Sequence, residues 1–124
     1  MTDSNRHAYL VVCGTTLGGE VDPEYANRAG AAAKNINIAP IASGNVGTER
    51  LKVLEGELPP SVTFMAVERF PSMAAIEEFW FSDAYQSSIP FRKNAVKMNY
   101  VIALEGISEA ELEAARQVAL ENSK

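Results

Sequence analysis

The sequence has 124 residues, of which 47% are hydrophobic and 22% are charged, and its net charge is −5. A chain of this length buries roughly two-thirds of its unfolded surface, so we expect one globular domain. The negative charge argues against nucleic acid or an anionic membrane surface as a partner. No apolar run approaches the roughly 20 residues of a membrane-spanning helix.

The first half of the chain predicts a strand, a helix and a second strand. Residues 1–7 are polar, lack the apolar segment of a secretory signal, and are expected to form a disordered tail. Residues 8–17 are β-branched and aromatic with apolar side chains on both faces, which is typical of a central strand. Asp22 and Pro23 predict a helix start, as N-cap and first helical residue. Residues 38–46 predict a weaker strand, and its proline places it at the edge of a sheet or at the start of a strand.

A third strand and a broken helix follow. Residues 62–70 predict a strand, and Glu68 shares one face of it with Phe64 and Ala66. Ser72 is a good N-cap, and apolar residues recur after it at helical spacing as far as Trp80, which we expect to be a core residue. Ser82 predicts a break and a second helix start.

The restarted helix carries Tyr85, Ile89, Arg92 and Val96 on one face, and Pro90 is expected to kink it. Arg92 therefore lies at the centre of an apolar face. One interpretation is a structural arginine with a buried stem and an ion-paired head. The other is a clamp for an anion or carboxylate, since guanidinium binds planar anions through two parallel hydrogen bonds.

The last elements are a strand and a terminal helix. Residues 98–104 are apolar on both faces, and Ser108 with Glu111 forms a capping box. The order βαββαβ predicts an α+β, ferredoxin-like sandwich with a four-stranded antiparallel sheet. We assign residues 8–107 to this domain and residues 108–124 to a C-terminal helix.

The chemistry that the sequence offers is limited. His7 is the only histidine and lies in the predicted tail, so the sequence predicts no Ser-His or Cys-His catalysis, no metal site and no cofactor. A single cysteine cannot form an internal disulfide, and we therefore expect a cytoplasmic protein.

A candidate site can be assembled from the remaining residues. Glu68 or Tyr85 would move a proton, Arg92 would hold an anion, and Trp80 with Phe91 would line the wall. Two function classes stay open. One is an enzyme or binder of a small anionic or polar-aromatic molecule, and the other is a non-catalytic dimeric module in which Arg92 forms a structural ion pair.

Short motifs along the chain resemble the uncharacterised family numbered 1330 among the domains of unknown function. The matching segments are Tyr9-Leu10-Val11, Asp22-Pro23-Glu24-Tyr25, Leu54-Glu55-Gly56, Phe70-Pro71-Ser72, Ser82-Asp83-Ala84-Tyr85-Gln86, Arg92 and Glu105-Gly106. The resemblance covers about residues 8–107 and implies a dimeric α/β barrel of ferredoxin-like topology with no established activity. The family's glycine pair and arginine near the second strand are missing from residues 37–45, so a family site there would be altered.

The two-sided strands also predict a homodimer. Helices of a ferredoxin-like sandwich cover one face of the sheet, yet the first and last strands are apolar on both. The second face needs burial, which a second copy of the sheet would supply. The alternative is that the C-terminal helix folds back over the sheet of its own chain.

Overall fold

The structure, a computed structural model, describes residues 6–123, so most of the predicted tail at residues 1–7 lies outside the described residues. Its sheet has four antiparallel strands in the order β2-β3-β1-β4. The predicted ferredoxin-like α+β fold is confirmed. The elements are β1 (Ala8–Thr16), α1 (Pro23–Ala33), β2 (Ala39–Asn45), β3 (Phe64–Phe70), α2 (Met73–Trp80), α3 (Asp83–Ser88), a 3-10 turn (Ile89–Phe91), β4 (Val96–Glu105) and α4 (Glu109–Asn122).

Side-chain caps begin each of the four α-helices where the sequence predicts them. Asp22 accepts a hydrogen bond from the backbone N–H of Glu24 at 2.9 Å and begins α1. Ser72 and Ser82 cap α2 and α3 in the same way, each at 3.1 Å. Ser108 forms the capping box that begins α4. These bonds satisfy N–H groups of the first turn that have no partner within the helix.

The prediction of a kinked helix running on to Val96 is wrong. The helix α3 ends at Ser88, a single 3-10 turn follows, and β4 begins at Val96. Pro90 has no N–H to donate to the helix ladder, so the regular α-helix stops before it. The backbone carbonyl of Arg92 then accepts from the N–H groups of both Ala95 and Val96, which turns the chain into the strand.

One face of the sheet, the helix-covered face, holds the core. Leu10 pairs with Glu68 on β3 and with Ala103 on β4, so these three side chains point to the same side. Side chains from β1, the end of β3, α2 and α3 form the buried cluster: Ala8, Leu10, Val12, Phe70, Ile76, Phe79 and Tyr85.

The opposite face, the open face, carries apolar side chains that no helix in residues 6–123 covers. Its members include Tyr9, Val11, Met65, Val67, Ile102 and Leu104. Within the described residues α4 does not pack along any strand, and none of its side chains is buried. The alternative in which the C-terminal helix covers its own sheet is therefore wrong.

In residues 6–123 no helix is both long and apolar enough to cross a membrane.

Candidate functional site

A cavity of about 410 Å³ lies between α1 and the helix-covered face of the sheet. The side of α1 that borders it consists of small residues, Ala29, Gly30 and Ala33. The helix α1 packs against α3 and the 3-10 turn, whereas α2 packs against the strands. Because alanine and glycine do not reach the sheet, space remains beneath α1.

The walls of the cavity are mostly apolar and partly aromatic. Phe79, Trp80 and Tyr85 form one wall. The ring of Tyr85 lies 4.6 Å from that of Phe79 and 4.8 Å from that of Trp80, measured between centroids. The sheet supplies the floor through Leu10, Val12, Phe64, Ala66, Met98 and Val101. Such a wall suits a planar, mostly apolar ligand.

Glu68 is the acidic group on the wall of this cavity. It is half-buried, and burial raises the pKa of its carboxyl group. Among residues 6–123, no side chain forms a hydrogen bond or ion pair with Glu68. A carboxyl group in this setting holds its proton more readily than an exposed glutamate does, so it can give or take a proton closer to neutral pH.

Two tyrosines and an arginine form a polar cluster beside the aromatic wall. The hydroxyl oxygens of Tyr25 and Tyr85 lie 3.2 Å apart. Burial raises the pKa of Tyr25, its hydrogen bond with Tyr85 adds to the rise, and the neighbouring Arg92 guanidinium opposes it. Arg92 is 7% exposed, and its Nε has no hydrogen-bond partner within the described part of the chain.

The structure brings three of the five predicted site residues together, because Glu68, Trp80 and Tyr85 all line the cavity. Arg92 stands beside Tyr25 and does not line the cavity. Phe91 also lies off the wall, where the guanidinium of Arg28 stacks over its ring at 4.6 Å.

Tyr25 is the site residue that sequence reasoning did not include. The available signal was its position in the first turn of α1, in the Asp22-Pro23-Glu24-Tyr25 motif. That signal predicts an inward-facing ring but does not reveal its neighbour Tyr85, which lies 60 positions further along the chain. Of residues 37–45, which depart from the family pattern, only Ile38 borders the cavity.

No group of three or more His, Cys, Asp or Glu side chains that could hold a metal ion occurs in the described residues.

A family model described as Domain of unknown function (DUF1330) matches residues 7–107. The chain belongs to this family. The match spans the sheet and α1 to α3 and ends before α4, so the cavity lies wholly within the family domain.

Solved structures with this fold have low sequence identity to the chain. A protein of unknown function from Rhodopseudomonas palustris is 15% identical with a TM-score of 0.56, and the alignment covers 85% of each chain. A protein from Thermobifida fusca, described as a dimeric ferredoxin-like protein of unknown function, is 9% identical with a TM-score of 0.40, covering 84% of this chain and 92% of that one. No curated protein matches the sequence. At these identities the first likeness supports the fold alone.

Proposed function

We propose that this DUF1330 protein binds or converts a small anionic or aromatic metabolite in the cavity beneath α1. The observation that carries the proposal is the cavity itself. Its volume of about 410 Å³ falls within the range of roughly 300–1,000 Å³ that is usual for small-molecule sites. It also combines an aromatic wall with one acidic group, which is the usual composition of a site that orients and reacts with a small ligand.

The roles that we propose follow the geometry. Trp80 and Tyr85 would contact the flat face of the ligand, and Glu68 would give or take a proton. Arg92 would act on the ligand's charge through Tyr25 because it does not line the cavity. Phe91 would support the site from behind, where it packs against Arg28.

Gly30 provides a direct test of the cavity. It lies on the rim, and a Cβ added there meets no atom within 4 Å. A leucine at this position has room to reach into the cavity, and it should favour the helix because glycine is about 0.5–1 kcal/mol worse than alanine in a helix interior. The Gly30→Leu variant should therefore fold and lose binding, whereas Gly30→Ala, the matched control, should fold and keep it.

The measurement is a thermal-shift screen of small aromatic acids, phenols and ketones against the wild type and both variants. A ligand at 100 times its dissociation constant stabilises the fold by about 2.7 kcal/mol, which is a shift of several degrees. We expect hits whose shift is kept in Gly30→Ala and lost in Gly30→Leu. A screen without hits, or hits that shift Gly30→Leu fully, would show that the cavity is not a binding site.

A second candidate function, a non-catalytic dimeric module, is favoured by the open face. We propose that a second copy of the chain covers this face and that the pair forms the dimeric α/β barrel that the family resemblance implies. Support comes from the exposed apolar side chains on β4, with Ile102 at 44% and Leu104 at 55% exposure. The dimer itself is compatible with a ligand in the cavity, since the cavity and the open face lie on opposite sides of the sheet. The proposed compartment is the cytoplasm, on the ground of the single cysteine.

A further inference from the structure

Arg92 decides which of the two tyrosines donates the hydrogen bond between Tyr25 and Tyr85. An arginine guanidinium carries positive charge and only hydrogen-bond donors, and that of Arg92 lies near the Tyr25 hydroxyl. This arrangement favours the Tyr25 oxygen facing Arg92 and the Tyr25 proton pointing to its other neighbour, the oxygen of Tyr85 at 3.2 Å. Because the Tyr85 oxygen then accepts, its own proton is left for a third partner.

That third partner is not a protein group in the described part of the chain. Among residues 6–123, Tyr25 is the side chain that bonds the Tyr85 hydroxyl. Tyr85 is 3% exposed and lines the cavity, so the protein shields the proton of its hydroxyl group from bulk water. A hydrogen-bond donor held in this way is costly to leave unsatisfied.

We infer that the ligand is an uncharged molecule with a flat apolar ring and a carbonyl-type oxygen, and that this oxygen accepts a hydrogen bond from Tyr85. This inference rests on the proposed function and narrows it to one ligand class.

The charges on the cavity wall support the uncharged class. Glu68 lines the cavity, and among residues 6–123 no lysine or arginine does. A carboxylate or phosphate ligand would meet no direct cationic partner and would face the glutamate, which is unfavourable at short range in a partly buried site. The positive charge of Arg92 acts on Tyr25 and not on the ligand, because Arg92 does not line the cavity. It therefore polarises the Tyr25 hydroxyl, which donates to Tyr85.

Three matched probes separate these possibilities: acetophenone, with a ring and a carbonyl oxygen; ethylbenzene, with the ring alone; and benzoate, with the ring and a negative charge. The affinities would be measured by two-dimensional amide NMR titration of the wild-type chain, of Tyr85→Phe and of Tyr25→Phe. Each variant removes one oxygen and keeps the ring, which leaves the aromatic wall in place.

We expect acetophenone to bind the wild type at least about tenfold more tightly than either of the other probes, which is the effect of one satisfied buried hydrogen bond, about 1.4 kcal/mol. The variant Tyr85→Phe should remove this advantage and leave ethylbenzene unchanged. The variant Tyr25→Phe should give a smaller loss for acetophenone, because Tyr85 remains but is no longer oriented.

Other outcomes overturn the inference in distinguishable ways. If benzoate binds most tightly, the site is an anion site and the ligand class is wrong, although the cavity still binds. If Tyr85→Phe weakens all three probes equally, Tyr85 serves only to pack. If none of the three probes binds while the screen on Gly30 variants finds other ligands, the inference fails and the proposed function stands; if both experiments are negative, both fail.

Discussion

Alternate side chains in the first half of β1, residues 9–12, lie in two different environments. Leu10 and Val12 point to the helix-covered face and are 5% and 7% exposed, whereas Tyr9 and Val11 point to the open face and are only half-buried. The two faces carry similar apolar residues, so their sequence does not explain the difference. What differs is the cover: α2 packs against β1, β3 and β4 on one face, and in residues 6–123 no helix packs on the other. The second copy of the chain proposed above would bury the side chains of the open face.

The largest expected effect tests the covered face. Phe70 is 0% exposed and its ring lies 5.6 Å from that of Phe79, so Phe70→Ala should cost about 3–5 kcal/mol of unfolding free energy. The matched change on the open face, Leu104→Ala, should cost about 1 kcal/mol or less in dilute protein. Urea denaturation of both variants gives the two values. Equal losses at the lowest protein concentration would remove the distinction between the faces.

The second effect tests what covers the open face. A lysine at Ile102 would place a charge in the proposed interface, and we expect the dimer dissociation constant to rise at least about a hundredfold, or about 2.7 kcal/mol. Light scattering should then report the 13.4 kDa monomer for Ile102→Lys and twice that mass for the wild type. The control is Val118→Lys on α4, where the side chain is 56% exposed and off the sheet. A wild-type monomer, or equal dissociation by both variants, would contradict the interface.

The smallest effect concerns pH on the covered face. Burial raises the pKa of Glu68, so folding favours its protonated form; this stabilisation is full at acidic pH and is lost as pH rises through the folded-state pKa. Glu68→Gln should therefore be more stable than the wild type at neutral pH, by on the order of 0.5 kcal/mol since solvent screens a half-exposed group. The difference should disappear below about pH 4.

Glu111 provides a control of opposite sign. Its hydrogen bonds from Ser108 and its pairing with Arg6 lower the pKa of its carboxyl group, so the stabilisation from Glu111 is present above the ordinary pKa and is lost as pH falls. Glu111→Gln should be less stable than the wild type at neutral pH and approach it in acid. Parallel curves for the wild type and Glu68→Gln, measured by thermal unfolding from pH 3 to pH 8, would show that burial does not affect Glu68.

Local signals explain why so much of the fold is predictable from the sequence. Ser82 lies between two runs of apolar residues at helical spacing, and serine is a favoured N-cap, so this one residue predicts the break. The effect of Pro90 was harder to predict, because a proline inside a helix either kinks the helix or ends it. The helix ends here, and the chain turns where the N–H groups of Ala95 and Val96 donate to the Arg92 carbonyl. The spacing of apolar residues does not reveal this turn.

The site was less predictable than the fold because it depends on distances between elements. The face that Glu68 occupies follows from strand alternation, and its place on the cavity wall follows from the fold. Arg92 was expected to have a buried stem and an ion-paired head, or to clamp an anion, whereas the whole side chain is 7% exposed and its neighbour Tyr25 comes from a different helix 67 positions earlier in the sequence. The cavity itself arises from small residues on α1, and a row of alanines equally predicts close packing.

Trp80 also makes the cavity observable by fluorescence. It is the only tryptophan in the sequence, it lies on the cavity wall, and its ring is 4.8 Å from that of Tyr85. Indole emission responds to the polarity and quenching groups around the ring, so the protein carries a single optical reporter at the place where a ligand would sit. Candidate metabolites can therefore be titrated against the unlabelled protein, with the emission wavelength and intensity of Trp80 as the signal.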